Sequence, residues 1–113
     1  MGKTSDRVKF FYDISRLTIA AHEHGIELLP HCFHRLQKQQ DILYEDGKSQ
    51  VKHSKHQDWL AIDFVIIVGG KAVWIINTDY EWLGKTWEKM GHTWGGYWSN
   101  TDKSRRDAWH FEF

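Results

Sequence analysis

One proline and one cysteine stand in a chain of 113 residues. The lone cysteine, Cys32, excludes an intrachain disulfide and, with it, a cysteine-based zinc site. Any metal is therefore expected on histidines and carboxylates, with Cys32 a small buried hydrophobe. Charge of one sign is also lacking: fifteen Lys and Arg balance fifteen Asp and Glu. A net charge of zero removes the electrostatic attraction to DNA, RNA or an anionic membrane surface. Seven tryptophans do not restore a nucleic-acid reading, because stacking rings need a basic face around them. No run approaches the ~18–20 apolar residues of a membrane span. The N-terminus, "MGKTSDRVKFFYDISRL", lacks the apolar core of a signal peptide. The expectation is a monomer made in a cytoplasm without an export signal of its own, with no nucleic-acid partner and no stable membrane association. Glycine-rich phosphate loops are missing as well: Gly69-Gly70 and Gly95-Gly96 lack the surrounding pattern and read as turns.

What is present suits one soluble domain over residues 1–113, with 41% hydrophobic and 27% charged residues. Residues 6–24 predict an amphipathic helix with Val8, Phe11, Ile14, Leu17 and Ala21 on one face, stopped by Gly25. "IELLPHCFHR" reads as a strand interrupted by Pro30. "QKQQDILYEDG" is rich in helix formers and ends at Gly47. "KSQVKHSK" is polar and reads as a loop. Leu60–Val68 and Ala72–Ile76, joined by Gly69-Gly70, predict a hairpin. Thr78 and Glu81 fit a capping box for a helix carrying Tyr80, Leu83, Trp87 and Met90 and ended by Gly91. A glycine-containing loop then leads to a short terminal strand with His110. This order predicts an α+β fold with a small antiparallel sheet flanked by helices.

One residue resists that reading. Asp63 sits between Ile62 and Phe64, before Val65-Ile66-Ile67-Val68, on the strand face of Ala61, Val65 and Ile67. An ionised carboxylate in an apolar strand is costly unless paired. Arg35 or Lys71 could pair with it. A metal could do so as well, held jointly with His56 at the start of the strand and His110 near the chain's end. Two histidines and one carboxylate leave a fourth position open, as catalytic zinc sites require. A peptidase also needs a proton carrier. Asp107, three residues before His110, is one candidate; Asp102 and Glu112 are others. Strand alternation puts Glu112 on the side of His110, where it could instead orient that ligand. Eight histidines make chance triads easy to draw. His53 reads as a solvated loop residue, and His22 and His24 as helix-end residues. His31 and His34 sit at a spacing that sends them to opposite faces of a strand.

Four stretches carry a resemblance. "SKHQDWLAIDF" is similar to the Ser-x-His-x6-Asp signature of zinc peptidases that cut D-alanine-containing peptidoglycan peptides. That group includes D-alanyl-D-alanine carboxypeptidases and dipeptidases and the phage L-alanyl-D-glutamate endolysins. "RLQKQQDILYEDGKS" resembles the family's Arg-x4-Gln-x2-Leu-Tyr-x2-Gly segment, and "WGGYW…DAWHFEF" its acidic-residue-and-histidine tail. "WLGKTWEKMGHTWGGYW" resembles the helix and loop before that tail. The match runs from about Ile26 to Phe113. It implies a zinc cofactor on His56, Asp63 and His110, Asp107 as catalytic acid/base, and Arg35 facing the substrate carbonyl. Ser54 matches the serine before the first ligand, a supporting or substrate contact. The implied fold is the small α+β domain shared with Hedgehog signalling domains, with no separate wall-binding domain. The implied partner is a peptidoglycan stem peptide. The expected activity is that of a phage L-alanyl-D-glutamate endolysin, made in the bacterial host's cytoplasm and acting at the wall after release through a membrane pore. A D-alanyl-D-alanine carboxypeptidase and a catalytically silent zinc-binding interaction module are the alternatives. One departure stands out: Trp59 occupies the position of a family glycine, three residues after the first histidine. It leaves the local turn open, with Trp59 either a groove wall or a packing residue.

Overall fold

The apolar run after Leu60 becomes the strand on which the sheet is built. The computed structural model describes residues 3–34, 36–47, 53–97 and 108–113. Among the described residues, three α-helices, α1 (Lys3–Glu23), α2 (Gln37–Glu45) and α3 (Thr78–Lys89), accompany five strands: β1 (Glu27–Cys32), β2 (Ala61–Val68), β3 (Lys71–Val73), β4 (Thr93–Trp94) and β5 (His110–Glu112). All pairings are antiparallel, in the order β1-β2-β5-β4 with β3 also on β2. One edge of β2 carries β1. The other carries β5 beside Ala61–Asp63 and β3 beside Ile66–Val68. The α+β expectation therefore holds, with β4 an element the sequence reading did not separate from its loop.

Alternation along β2 sorts the residues into two faces. Ile62, Phe64 and Ile66 join Phe10, Leu17, Leu83, Trp87 and Phe111 in the hydrophobic core. Ala61, Asp63 and Val65 point the other way and are buried as well. The β2–β3 hairpin turns at Gly69 and Gly70 with φ of 58° and 79°. Two successive positive φ values are what a tight two-residue hairpin demands. Pro30 is accommodated because β1 lies at the sheet edge.

Two local expectations shift by a residue. The buried stripe of α1 is Phe10, Ile14, Leu17 and Ala21, whereas Val8 and Phe11 are exposed at 65% and 61%. Spacings of four, three and four keep the four buried residues on one line, and Val8 and Phe11 fall beside it. Helix α3 is capped by Asn77, whose side-chain oxygen accepts from the Tyr80 backbone N–H at 3.0 Å. Thr78 is already its first helical residue.

Buried polar groups tie the layers together. Asp13 of α1 accepts from Lys9 at 2.8 Å and meets His92 at 2.7 Å, and the His92 ring stacks on Trp87. The Tyr80 hydroxyl accepts from Ile66 N–H and donates to the Val73 carbonyl, joining α3 to both hairpin strands. Trp94 is 2% exposed, and its indole N–H donates to the Ala108 carbonyl at 2.7 Å. This bond holds the backbone two residues before His110.

Trp94 fits because Gly84 and Gly96 lie against its ring. A Cβ at Gly84 would stand 2.0 Å from an indole carbon, and one at Gly96 2.2 Å from another. Gly84→Ala is therefore expected to destabilise the fold by about 1–3 kcal/mol through overpacking. That outcome opposes the ~1 kcal/mol that alanine ordinarily gains over glycine inside a helix. Urea unfolding measures the difference. Unchanged or raised stability in Gly84→Ala would show that the indole does not lie against this helix.

Candidate metal centre

Asp63 lies mid-sheet with a strand on each side. Across one ladder it faces Cys32 of β1, and across the other His110 of β5. Directly opposed residues share a face, with Cβ atoms ~4.5–5.5 Å apart. The three thus form a row across adjacent strands, on the face away from Ile62 and Phe64. Cys32 owes its place to a bulge. Glu27 to Pro30 pair with Ile67 to Phe64 in unbroken register, and the next partner of Asp63 in that register is His31. One extra residue intervenes, so Cys32 takes the position instead. His31 meets Trp74, with ring centroids 5.2 Å apart. Bulges re-aim side chains in this way.

His56 comes from a 3₁₀ turn, Lys55–Asp58, that precedes β2. Ser54 caps this turn: its hydroxyl accepts from His56 N–H at 3.2 Å, while the Gln57 side chain accepts from Ser54 N–H at 2.9 Å. Trp59 ends the turn in the left-handed region, with φ 61° and ψ 32°. A side chain there costs roughly 1–2 kcal/mol. Here the turn is kept and the indole packs instead, stacked on His34 at 4.2 Å and edge-on to Phe33 at 5.3 Å. At 43% exposure it also keeps an open face.

The result is a buried cluster around one carboxylate oxygen. His56 Nε2 lies 3.2 Å and His110 Nδ1 3.1 Å from Asp63 Oδ1. The second nitrogen of each ring has its own partner. His56 Nδ1 lies 3.1 Å from the Phe33 carbonyl, and His110 Nε2 lies 3.0 Å from Glu112 Oε1. Glu112 is bonded in turn by Lys55 at 3.0 Å, and Lys55 also donates to the Phe113 carbonyl. These outer contacts leave one nitrogen of each histidine facing Asp63, which is how ligand histidines are oriented.

Electrostatics follow from the packing. Burial alone would lower the His56 pKa, but its contacts with Asp63 and Cys32 outweigh burial and raise it to about 9. Burial alone would raise the Asp63 pKa, and the two histidines reverse this, bringing it to about 2. Burial likewise pushes Glu112 up, and His110 and Lys55 hold it below the usual carboxylate range. Without a metal, then, the charge of Asp63 is balanced by imidazolium.

Each histidine stands at metal-ligand spacing from Asp63. Ligands ~2.0–2.1 Å from a tetrahedral ion stand about 3.3 Å apart, close to the 3.1 and 3.2 Å found here. Among the described residues, the group whose donor atoms all lie within 4.8 Å of one another is Cys32, His56 and Asp63, without His110. This corrects the expectation that the cysteine is a bland core residue. Cys32 is half-buried and borders the would-be ligands. The signal for it was Pro30, since a proline inside a strand is a mark of edges and bulges.

The other candidates separate cleanly. The structure brings His56, Asp63, His110 and Glu112 together, with Ser54 behind the turn and Trp59 at its exit. Arg35, Asp102 and Asp107 lie outside the described residues. His53 pairs with Asp58 at 3.1 Å on the surface, and His24 stacks on Trp82. Lys71 pairs in register with Val68, at the far end of β2 from Asp63.

No protein-family model and no curated protein matches the sequence. Solved structures do match the fold. The L-Ala D-Glu endopeptidase ChiX of Serratia marcescens superposes with a TM-score of 0.72 at 20% identity, over 98% of this chain and 85% of that one. The LD-carboxypeptidase LdcB superposes with a TM-score of 0.62 at 20% identity, over 98% of this chain and 57% of that one. No helix among the described residues is long and apolar enough to cross a membrane. The chain has the α+β fold of these peptidoglycan peptidases.

Proposed function

We propose that this protein is a zinc peptidase that hydrolyses a peptide bond in peptidoglycan stem peptides. The observation that carries the reading is the convergence of His56 and His110 on one oxygen of Asp63, on a fold shared with two peptidases. Two imidazoles and a carboxylate are the ligands of hydrolytic zinc sites, where a fourth position stays open for chemistry. Bound there, zinc supplies Lewis-acid polarisation of the scissile carbonyl and a water acidified toward ~7.

The remaining work falls to the chain itself. Asp107 accepts the proton of the attacking water and returns it to the departing amine. Arg35 presents a fixed cation to the developing oxyanion. Glu112 and the Phe33 carbonyl hold the two histidines in their facing orientations. Ser54 keeps the turn that delivers His56. The roles of Asp107 and Arg35 rest on the matched sequence motifs.

The bond we favour is L-alanyl-D-glutamate, because the likeness to ChiX extends over most of both chains. A carboxypeptidase reading has the support of LdcB, although this chain spans only 57% of that one. Mass spectrometry of digested muropeptides separates them. The endopeptidase leaves alanine on muramic acid and frees the remainder of the stem. A carboxypeptidase releases only the terminal residue. The lytic role expected from the sequence adds clearing of suspended sacculi. Asp107→Ala is expected to lose about 10²- to 10⁴-fold in turnover with zinc retained, and His56→Ala to lose both. No cleavage by zinc-loaded wild type or by zinc-loaded Cys32→Ala would leave a silent binding module as the answer.

Zinc binding itself carries a pH signature. With its pKa raised to about 9 in the metal-free protein, His56 is protonated at neutral pH. A ligand nitrogen must be deprotonated, so zinc expels that proton. Affinity is expected to rise with pH up to about 9 and to fall as the solution is acidified. Calorimetry at pH 7 in buffers of different ionisation enthalpy should register the release of at least one proton per zinc, that of His56. Binding without proton release would mean that His56 is not displaced from its imidazolium form.

A further inference from the structure

Resting on the metal-centre reading above, we propose that Cys32 is a fourth protein ligand, and that its thiolate closes the coordination position the hydrolytic reaction needs open. The first support is placement. The row Cys32, Asp63, His110 spans three adjacent strands on one face, with His56 delivered from the preceding turn. The second is the bulge before Cys32, which removes His31 from the position beside Asp63 and installs a sulfur there. The third is distance. Donor atoms of Cys32, His56 and Asp63 lie within 4.8 Å of one another, and His110, outside that group, joins through Asp63 at 3.1 Å. Zinc–sulfur bonds of ~2.3 Å and zinc–nitrogen bonds of ~2.0–2.1 Å separate tetrahedral ligands by about 3.6 Å. Binding the ion requires these donors to close by up to about 1.2 Å.

The consequence concerns resting activity. Four protein ligands make a closed site, and three make an open one. Ligation forms one sulfur–metal bond, and the thiol proton leaves to solvent. The resting domain is therefore latent, and turnover requires the thiolate to yield its position to substrate and water. This is unlike the bare two-histidine, one-carboxylate arrangement, which is open at all times.

Cobalt(II) substitution tests this without relying on activity. Wild type is expected to show the d–d bands of tetrahedral cobalt together with a thiolate-to-cobalt charge-transfer band in the near ultraviolet. Cys32→Ala is expected to keep the d–d bands and lose the charge-transfer band. Stem-peptide turnover of the zinc form should then rise in Cys32→Ala. Tetrahedral d–d bands without charge transfer in wild type overturn the fourth ligand and leave the metal centre standing. Absence of tetrahedral bands in both proteins removes the metal centre and the fourth ligand together. Charge transfer in wild type with turnover unchanged or lower in Cys32→Ala overturns the closure. The wild-type spectrum decides the ligation whether or not the variant folds.

Discussion

A single buried carboxylate organises this molecule. Asp63 is 6% exposed, in a strand whose other residues are apolar. Removing one partner from a buried charge pair typically costs about 3–5 kcal/mol. The chain meets that demand from two sides. His110 arrives as the cross-strand neighbour in β5, and His56 arrives from a capped turn at the head of the same strand. Both histidines are buried at 2% and 6% exposure, so their own charge is tolerable only against Asp63 and, for His110, Glu112. The three residues are mutually obligatory whether a proton or a metal ion sits among them.

Much of the surrounding architecture exists to hold that geometry. Trp59 takes a left-handed backbone that disfavours side chains, and its stacking on His34 and edge-on contact with Phe33 offset part of the cost. The same short segment at the end of β1 supplies the Phe33 carbonyl that orients His56 and the thiol of Cys32 that borders it. On the opposite side, Trp94 is held between Gly84 and Gly96 and bonds to the backbone just before His110. Core packing is thereby transmitted to His110 two residues away. Lys55 and Glu112 link the His56 turn to β5 directly. The site is thus built on strands and a short capped turn, a firmer support for a preorganised site than free loops.

Element identity was largely legible because it depends on near neighbours. Helical spacing located α1 and α3, and two glycines located the hairpin. The small errors had local causes too. Val8 and Phe11 are apolar but lie beside the buried line, and Asn77 competes with Thr78 for the same capping role. Asp63 was legible as an anomaly because buried charge violates a rule that holds along every strand. His56 and His110 could be proposed from the residues, and the motif resemblance singled them out from the other six histidines.

Cys32 was not legible, and the reason is instructive. Its position depends on one extra residue in β1, and a shift of one residue decides which side chains reach a given face. Composition and spacing set the elements, the polarity of β2 and the need for a partner to Asp63. Which groups answer that need was decided only in three dimensions, by strand register. Register is a long-range property: β1 meets β2 from some thirty residues away, and β5 from nearly fifty. No local pattern encodes where those ladders align, so only the folded sheet could bring the thiol to the carboxylate.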